Sequence, residues 1–264
     1  MLSSLSMYAA GSAANAALWQ SIAEHLRQAG ITDVPELLSQ PEDLLGHWTD
    51  PDLLLGQTCG YPLTHALAGK VQLVGAFCYD APGCDGVRYR SQLICRDADA
   101  DLPLSGFRGR VVAYNSTDSQ SGYNSLRALV APWSTDGWFF DRAVVSGAHR
   151  ASVELVRSGQ ADLAAIDCIS WALLQRDQPE AVRGLTVCGH TASAPGLPLI
   201  TANRTPEHVL LALRQALHAA MADAGLAEAR AALLIRDFAE LPLGTYAEIP
   251  QMAQNAADYG YFRL

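Results

Sequence analysis

The sequence predicts an α/β fold in two lobes, and three observations carry that reading. Short β-like apolar runs alternate with amphipathic helical patterns along the whole chain, as strands joined by right-handed crossovers do. Two runs, Leu53-Leu54-Leu55 and Leu163–Ile166, are apolar without alternation, the mark of strands covered on both faces. The 264 residues, 50% hydrophobic and 17% charged, exceed one small module and suit one large domain or two lobes of about 100–150 residues each. Such a composition excludes disorder as the main state.

The elements follow in order. Residues 2–8 read as a strand. Ser12 is a good N-cap for a helix that sets Leu18, Ile22 and Leu26 four apart on one face and stops at Gly30. A second helix is expected near 35–45, ahead of the Asp50-Pro51 turn. The strand at 53–55 ends in a polar loop, Gln57-Thr58-Cys59-Gly60-Tyr61-Pro62. Strands at 71–79 and 91–95 flank the turn Ala81-Pro82-Gly83-Cys84-Asp85-Gly86. Val111–Tyr114 is a strand whose loop, 115–121, feeds a helix with Leu126, Leu129 and Val130, ended by Pro132. Val144-Val145 precedes a helix from about 148 to 157 closed by Gly159. Leu163–Ile166 ends at Asp167, and a helix with Trp171, Leu173 and Leu174 follows. Residues 191–200, with Pro195 and Pro198, read as a crossing segment. Thr205-Pro206-Glu207 offers a cap, a proline at the first helical position and an acid in the first turn of a long helix through Leu217. A strand-like run, Leu233–Ile235, and a terminal helix near 248–258 complete the chain, with no internal repeat.

Charge and composition exclude several functions. A net charge of −9 argues against a nucleic-acid partner, and no run of 18 apolar residues exists to insert into a membrane. Residues 1–10 have neither a basic nor a sustained apolar stretch, so the expectation is a cytoplasmic protein, or a periplasmic one if the chain is a trimmed mature form. Six cysteines form no CxxC pair; Cys78 and Cys84 flank a Pro-Gly turn and would pair in an oxidising compartment, while buried thiols are the simpler reading. His25, His208 and His218 lack partners at metal-ligand spacing, and no cofactor is expected. Asp97, Asp99 and Asp101 read as a solvated turn, and Trp133, Trp138, Phe139 and Phe140 as packing of the second lobe.

The chemistry concentrates at strand-to-helix junctions. In Asn115-Ser116-Thr117-Asp118-Ser119-Gln120-Ser121-Gly122-Tyr123 the first helical N–H groups lack internal partners and suit an anion. Ser119 and Ser121 add neutral hydroxyl donors, and Gly122 lets a ligand approach the backbone. A capped helix behind a polar loop would show the same spacing. His149, in Ser146-Gly147-Ala148-His149, is placed to donate to an oxyanion, or is simply a surface residue of a first turn. Asp167 ends a buried strand where open α/β sheets bind ligands, or caps the next helix. Gln57, Thr58 and Tyr61 hold the same kind of position, and Tyr8 and Tyr79 end strands where they would wall a pocket or fill the core.

Taken together, these stretches resemble the phosphonate/phosphate-type substrate-binding proteins of ABC transporters, which have type II periplasmic-binding folds. The resemblance rests on residues 52–61, on Ser119-Gln120-Ser121-Gly122-Tyr123, on 146–152 and on 159–167, and runs from about 50 to 200. It implies two lobes, each a mainly parallel sheet flanked by helices. Lobe 1 would hold residues 1–95 plus 197–264 and lobe 2 residues 96–196, with hinge crossings near 95–105 and 190–200. It also implies that Ser119, Gln120, Ser121 and His149 grip the oxyanion of a small ligand in an interlobe cleft that closes over it, that Asp167 holds the rest of that ligand, and that a permease or signalling partner receives it. Many members carry a third hydroxyl where Gln120 stands, which widens the expected ligands from phosphonates to carboxylates and other oxyanions. A cytoplasmic relative would serve as a sensor, an orphan binder or an enzyme. The catalytic alternative is a thiaminase-like enzyme of the same fold class using Cys59 and His149; a regulatory module without a small ligand is the third reading.

Overall fold

The structure, a computed structural model, describes residues 1–5, 7–8 and 12–264 apart from the Ser12 side chain. Ser6, within the strand expected over 2–8, and the proposed Ser12 cap therefore lie outside the described residues. In chain order the strands are β1 (Leu2–Ser4), β2 (Leu53–Gln57), β3 (Val71–Tyr79), β4 (Arg88–Tyr89), β5 (Ser91–Arg96) and β6 (Val111–Tyr114). They continue with β7 (Arg142–Val145), β8 (Leu163–Asp167), β9 (Leu185–His190), β10 (Ala194–Pro195), β11 (Pro198–Ala202) and β12 (Ile235–Ala239). The α-helices are α1 (Ser12–Gln28), α2 (Leu44–Trp48), α3 (Gly60–Thr64), α4 (Ser125–Val130) and α5 (His149–Arg157). After them come α6 (Cys168–Asp177), α7 (Glu207–Ala222), α8 (Ala227–Leu233) and α9 (Glu248–Asp258).

The chain divides into two units. The first takes Met1–Asp80, Asp85–Val87 and Pro195–Tyr246; the second takes Ala81–Cys84, Arg88–Ala194 and Ala247–Leu264. The first passage between them thus precedes the expected 95–105, because β5 pairs with both β8 and β9 and so belongs to the second sheet. The segment from Ala247 onward also belongs to the second unit, where the resemblance implied lobe 1.

In the first unit the strand order is β1-β2-β11-β3-β12. β1 and β2 are parallel, β11 is antiparallel to β2 and β3, and β12 is antiparallel to β3. The sheet is mixed rather than mainly parallel because β11 and β12, reached only after the second unit, run back against their neighbours. Leu53, Leu54 and Leu55 are buried on both faces of it. Leu18, Trp19, Ile22, Ala23 and Leu26 form the buried stripe of α1, which packs on α7 and α8. Gly30 ends that helix with φ +82°, and the Ile31 N–H reaches the Leu26 carbonyl at 3.0 Å.

Three elements of this unit differ from the sequence pattern. Only α2 forms near the helix expected at 35–45; Asp43 caps it by accepting from the Gly46 N–H, and 35–43 stay irregular between Pro35 and Pro41. The chain passes between the units at Ala194/Pro195, within the crossing expected at 191–200, but β11 begins before that stretch ends, a buried central strand that opens on Pro198, the strand position where a missing N–H is best tolerated. The strand expected at Leu233–Ile235 starts later, because α8 occupies the preceding residues and Leu234 turns with φ 56°.

The second sheet has the order β7-β6-β8-β5-β9. β6 is parallel to β7 and β8, while β5 runs antiparallel to β8 and β9. Successive strand residues feed opposite faces. Leu93, Cys95, Val112, Leu163 and Ala165 join one core with Leu126, Val130, Ala256 and Tyr261, on the side of α4 and α9. Ile94, Ala113, Ala164 and Ile166 join the other with Val153, Val156, Trp171 and Leu174, on the side of α5 and α6. Two covered faces explain the unbroken apolar run at 163–166. Phe139 and Phe140 are in the first of these cores, but Trp133 and Trp138 are each 55% exposed. Thr135 and Trp138 bridge across a turn with positive φ at Asp136 and Gly137, so Trp138 sits at the edge of an exposed hairpin, while Trp133 ends the 3-10 turn Ala131–Trp133 before it. Asp99 is not a solvated turn residue: it pairs with Arg110 at 2.8 Å and Arg96 at 3.4 Å, and Arg96 reaches Asp162 at 2.6 Å.

Gly75 in β3 has no room for a side chain, since a Cβ there would overlap the Ala239 carbonyl oxygen and the Phe238 ring. Gly75→Ala is expected to destabilise the protein by about 1–3 kcal/mol, as overpacking does, read as a lower urea midpoint with the slope unchanged.

Candidate functional site

The site grows from two neighbouring strand-to-helix junctions of the second unit. Because β6 and β7 are parallel and in register, Tyr114 lies opposite Val145 and both strands end at the same level. The Ser146 N–H then donates to the Tyr114 carbonyl (2.8 Å) and the Gly147 N–H to that of Asn115 (2.9 Å). Gly147 turns with φ +86°, and Ala148 leads into α5, whose first residue is His149.

After β6 the chain reaches Ser119, which caps a single π-turn, Gln120–Asn124, that runs on into α4. Ser119 Oγ accepts from the Gly122 N–H at 3.0 Å. The Ser121 carbonyl is pinned by the hydroxyls of Ser125 (2.8 Å) and Ser91 (2.9 Å). Its side chain meets the other junction: Ser121 Oγ lies 2.9 Å from His149 Nε2 and 3.5 Å from Ser119 Oγ. Gly122 is required by packing, because a Cβ would overlap Asn115 Oδ1 and touch His149 Cε1 at 3.3 Å.

Burial pushes the His149 pKa down to about 4, so the imidazole is neutral at pH 7. Its Nδ1 is buried without a hydrogen-bond partner. A stranded N–H costs more than a stranded acceptor, which favours the tautomer with the proton on Nε2. His149 then donates to Ser121 Oγ and leaves the serine's own hydrogen to donate onward. Ser119, whose oxygen is occupied by the Gly122 N–H, likewise keeps its hydrogen as a donor. The arrangement is a pair of preorganised hydroxyl donors with no formal positive charge.

The other sequence-expected residues have these partners. Gln120 is buried, its Oε1 accepting from Asn124 Nδ2 at 2.7 Å and its Nε2 donating to Met252 Sδ at 3.3 Å. Asn124 also donates to the Ile249 carbonyl, and Arg127 to the carbonyls of Phe262 and Ala253. Residues of the segment beyond Ala247 thus brace the π-turn. Asp167 caps α6, accepting from the N–H groups of Ile169 (2.8 Å) and Ser170 (3.0 Å).

In the first unit, Tyr8 stands edge-on to Tyr79 at 5.1 Å, and Tyr79 Oη accepts from Gln57 Nε2 at 2.9 Å. With Asn15 and apolar neighbours these three line a small cavity. Tyr61 stacks on His65 at 3.8 Å, while Thr58 is fully buried and its hydroxyl oxygen has no partner. Cys59 precedes α3 as its N-terminal flanking residue. Among the described residues, no group of three or more His, Cys, Asp or Glu side chains is placed to hold a metal.

Sequence reading missed Asn115, Ser91 and Asn124, which shape the loop. Only Asn115 carried a signal, as the first polar residue after a buried strand; the others act across 30 or 125 positions of sequence.

The model of the family described as "ABC transporter, phosphonate, periplasmic substrate-binding protein" matches residues 55–241. A search of curated proteins returned no match. Among solved structures, PhnD1 of Prochlorococcus marinus in complex with methylphosphonate is 14% identical, with 94% of each chain covered and a TM-score of 0.75. A binding-protein component of an ABC phosphonate transporter from Pseudomonas aeruginosa is 19% identical, covering 98% of this chain and 86% of that one, with a TM-score of 0.74. A Xanthomonas citri protein, XAC2383, bound to ATP is 15% identical, with 92% of each chain covered and a TM-score of 0.68. At these identities the structures establish a shared fold.

The depressed His149 pKa makes a pH prediction. Between the unfolded value of 6.5 and the folded value of about 4, only the unfolded chain takes up this proton. The contribution of neutral His149 is therefore complete above pH 6.5 and is lost as pH falls towards 4, by about 3 kcal/mol at most. Urea midpoints measured across this range should decline less steeply for His149→Gln than for the parent; parallel declines would refute the assignment.

Proposed function

Because this chain belongs to the phosphonate-type periplasmic substrate-binding proteins of ABC transporters, a solute-binding family, we propose that its second unit grips the oxyanion of a phosphonate-like ligand through Ser119, Ser121 and His149. The observation that carries this reading is the 2.9 Å contact between Ser121 Oγ and His149 Nε2, which fixes a hydroxyl donor at the head of a capped helical turn. Hydrogen bonds to a charged oxygen are about twice as strong as neutral ones, so an anion is the ligand that gains most from two aligned hydroxyls. The start of a helical turn, where backbone N–H groups point outward, acts in the same direction.

Gln120 replaces a short hydroxyl by an amide already bonded to Asn124 and Met252. The oxyanion contacts accordingly fall on the two serines, and phosphite, phosphate and small carboxylates are competitors worth comparing with phosphonates. Asp167, Thr58, Tyr61, Tyr8 and Tyr79 are proposed as further ligand contacts. Thr58 is the foremost of these in the first unit, because its buried hydroxyl lacks a partner. The catalytic alternative on Cys59 and His149 is not favoured, since the matched family binds solutes. Among the described residues no helix is long and apolar enough to cross a membrane. Family membership implies delivery of a small anion to a transporter permease, and we read the protein as a periplasmic carrier in preference to a cytoplasmic sensor.

Calorimetric titration with methylphosphonate, phosphite, phosphate, sulfate and acetate tests this reading. Tightest binding is expected for a phosphorus oxyanion. Ser119→Ala should weaken it by about 10–100-fold, the size of a lost hydrogen bond to a charged group, and His149→Ala should weaken it by releasing the Ser121 hydroxyl that its Nε2 holds. Ser121→Asp should abolish it while the thermal transition stays cooperative; full affinity in that variant would remove the proposed clamp.

A further inference from the structure

All six cysteines are present as thiols, and they include two pairs in contact, Cys95 with Cys188 and, around the site, Cys84 with Cys168. Cys84 Sγ lies 3.5 Å from Cys168 Sγ, although the residues are 84 positions apart. Cys84 ends the short segment Ala81–Cys84, and Cys168 opens α6 directly after Asp167. The segment is seated firmly there. Gln92 Nε2 donates to the Pro82 carbonyl at 2.9 Å, the Cys168 N–H donates to the Arg90 carbonyl at 3.1 Å, and Gly83 (φ +110°) is so close that a Cβ would lie 3.1 Å from Cys168 Cβ. The two sulfurs need approach by only about 1.5 Å to reach bonding distance, which is about 2.05 Å.

We propose that Cys84 and Cys168 are a disulfide site, closed by exchange with a low-molecular-weight disulfide. Cys84 is partly exposed whereas Cys168 is buried, which orders the steps. The Cys84 thiolate attacks one sulfur of the small disulfide, forming a mixed disulfide and releasing one thiol. Cys168 then attacks Cys84 Sγ, forming the internal S–S bond and releasing the second thiol. Each cysteine proton ends on a released thiol, so the small disulfide is reduced as the pair is oxidised. The hydrogen bond to Cys84, then burial and the Asp167 carboxylate, push the Cys168 thiol far above its ordinary range; burial, which persists in the mixed disulfide, makes Cys168 the resolving thiol and Cys84 the entry point. The bond would close a loop running from Cys84 to Cys168, and this loop contains the Ser119–Ser121 turn and His149. It ties the site's elements together without touching their donors.

The test is incubation of the folded protein with oxidised glutathione, blocking of remaining thiols and cleavage before aspartates. Asp80 and Asp85 isolate Cys84 from Cys78, and Asp167 and Asp177 isolate Cys168. The expected result is loss of two thiols per chain, one crosslinked pair of peptides 80–84 and 167–176, and a Tm several degrees higher that dithiothreitol reverses. Cys84→Ser should lose the crosslink and the Tm rise, and Cys95→Ser should keep both. Glutathione retained on Cys84, a crosslink to any other cysteine, or six thiols persisting through hours of treatment would each overturn the proposal.

Discussion

One hydrogen bond joins the two halves of the candidate site, that between the Ser121 hydroxyl and the His149 imidazole. It exists because β6 and β7 are parallel and in register, so that two chain segments 28 residues apart leave the sheet side by side. Open α/β sheets place ligands at the carboxyl ends of their strands for this reason. The loop then has to be shaped finely enough to bring the two groups together. Ser119 does so by capping the turn, Gly122 by letting Asn115 and His149 pack against bare backbone, and Ser91 and Ser125 by holding the Ser121 carbonyl.

The electrostatic consequence is specific. An imidazole held neutral by burial offers an anion a dipole and no charge. The chain as a whole carries −9, so long-range attraction does not favour an anionic solute. On the proposed reading, capture would depend on short-range donors arranged before the ligand arrives, the circumstance in which preorganisation matters most.

Much of this was readable from residues, and the failures share a cause. Leu163–Ile166 announced a strand covered on both faces, Gly30 and Gly159 announced helix ends, and the serine-bearing turn and His149 were found at the junctions that the structure joins. The passage between units falls at Ala194/Pro195, inside the expected 190–200, but the pattern does not show β11, because Pro195 and Pro198 read as breakers while Pro198 stands at the strand's first position, where a proline is tolerated. β9 went unnoticed because it is only half buried and lacks clean alternation. The partners of the Gln120 amide, Asn124 and Met252, are not legible beside it in the sequence, since Met252 is 132 positions away. Local sequence fixes propensity and periodicity; the partner of a buried amide is decided by the tertiary fold.

The bracing segment beyond Ala247 bears on how the molecule comes into being. Ala256 and Tyr261 sit in the same core as Val112, Leu126 and Leu163, and β12 is an edge strand of the other sheet. A nascent chain emerging from the ribosome therefore cannot finish either core until nearly all of these residues have been translated. The serine turn lacks its back wall until residues beyond Ala247 have joined this core, so its final shape waits on a contact made across 125 positions of sequence.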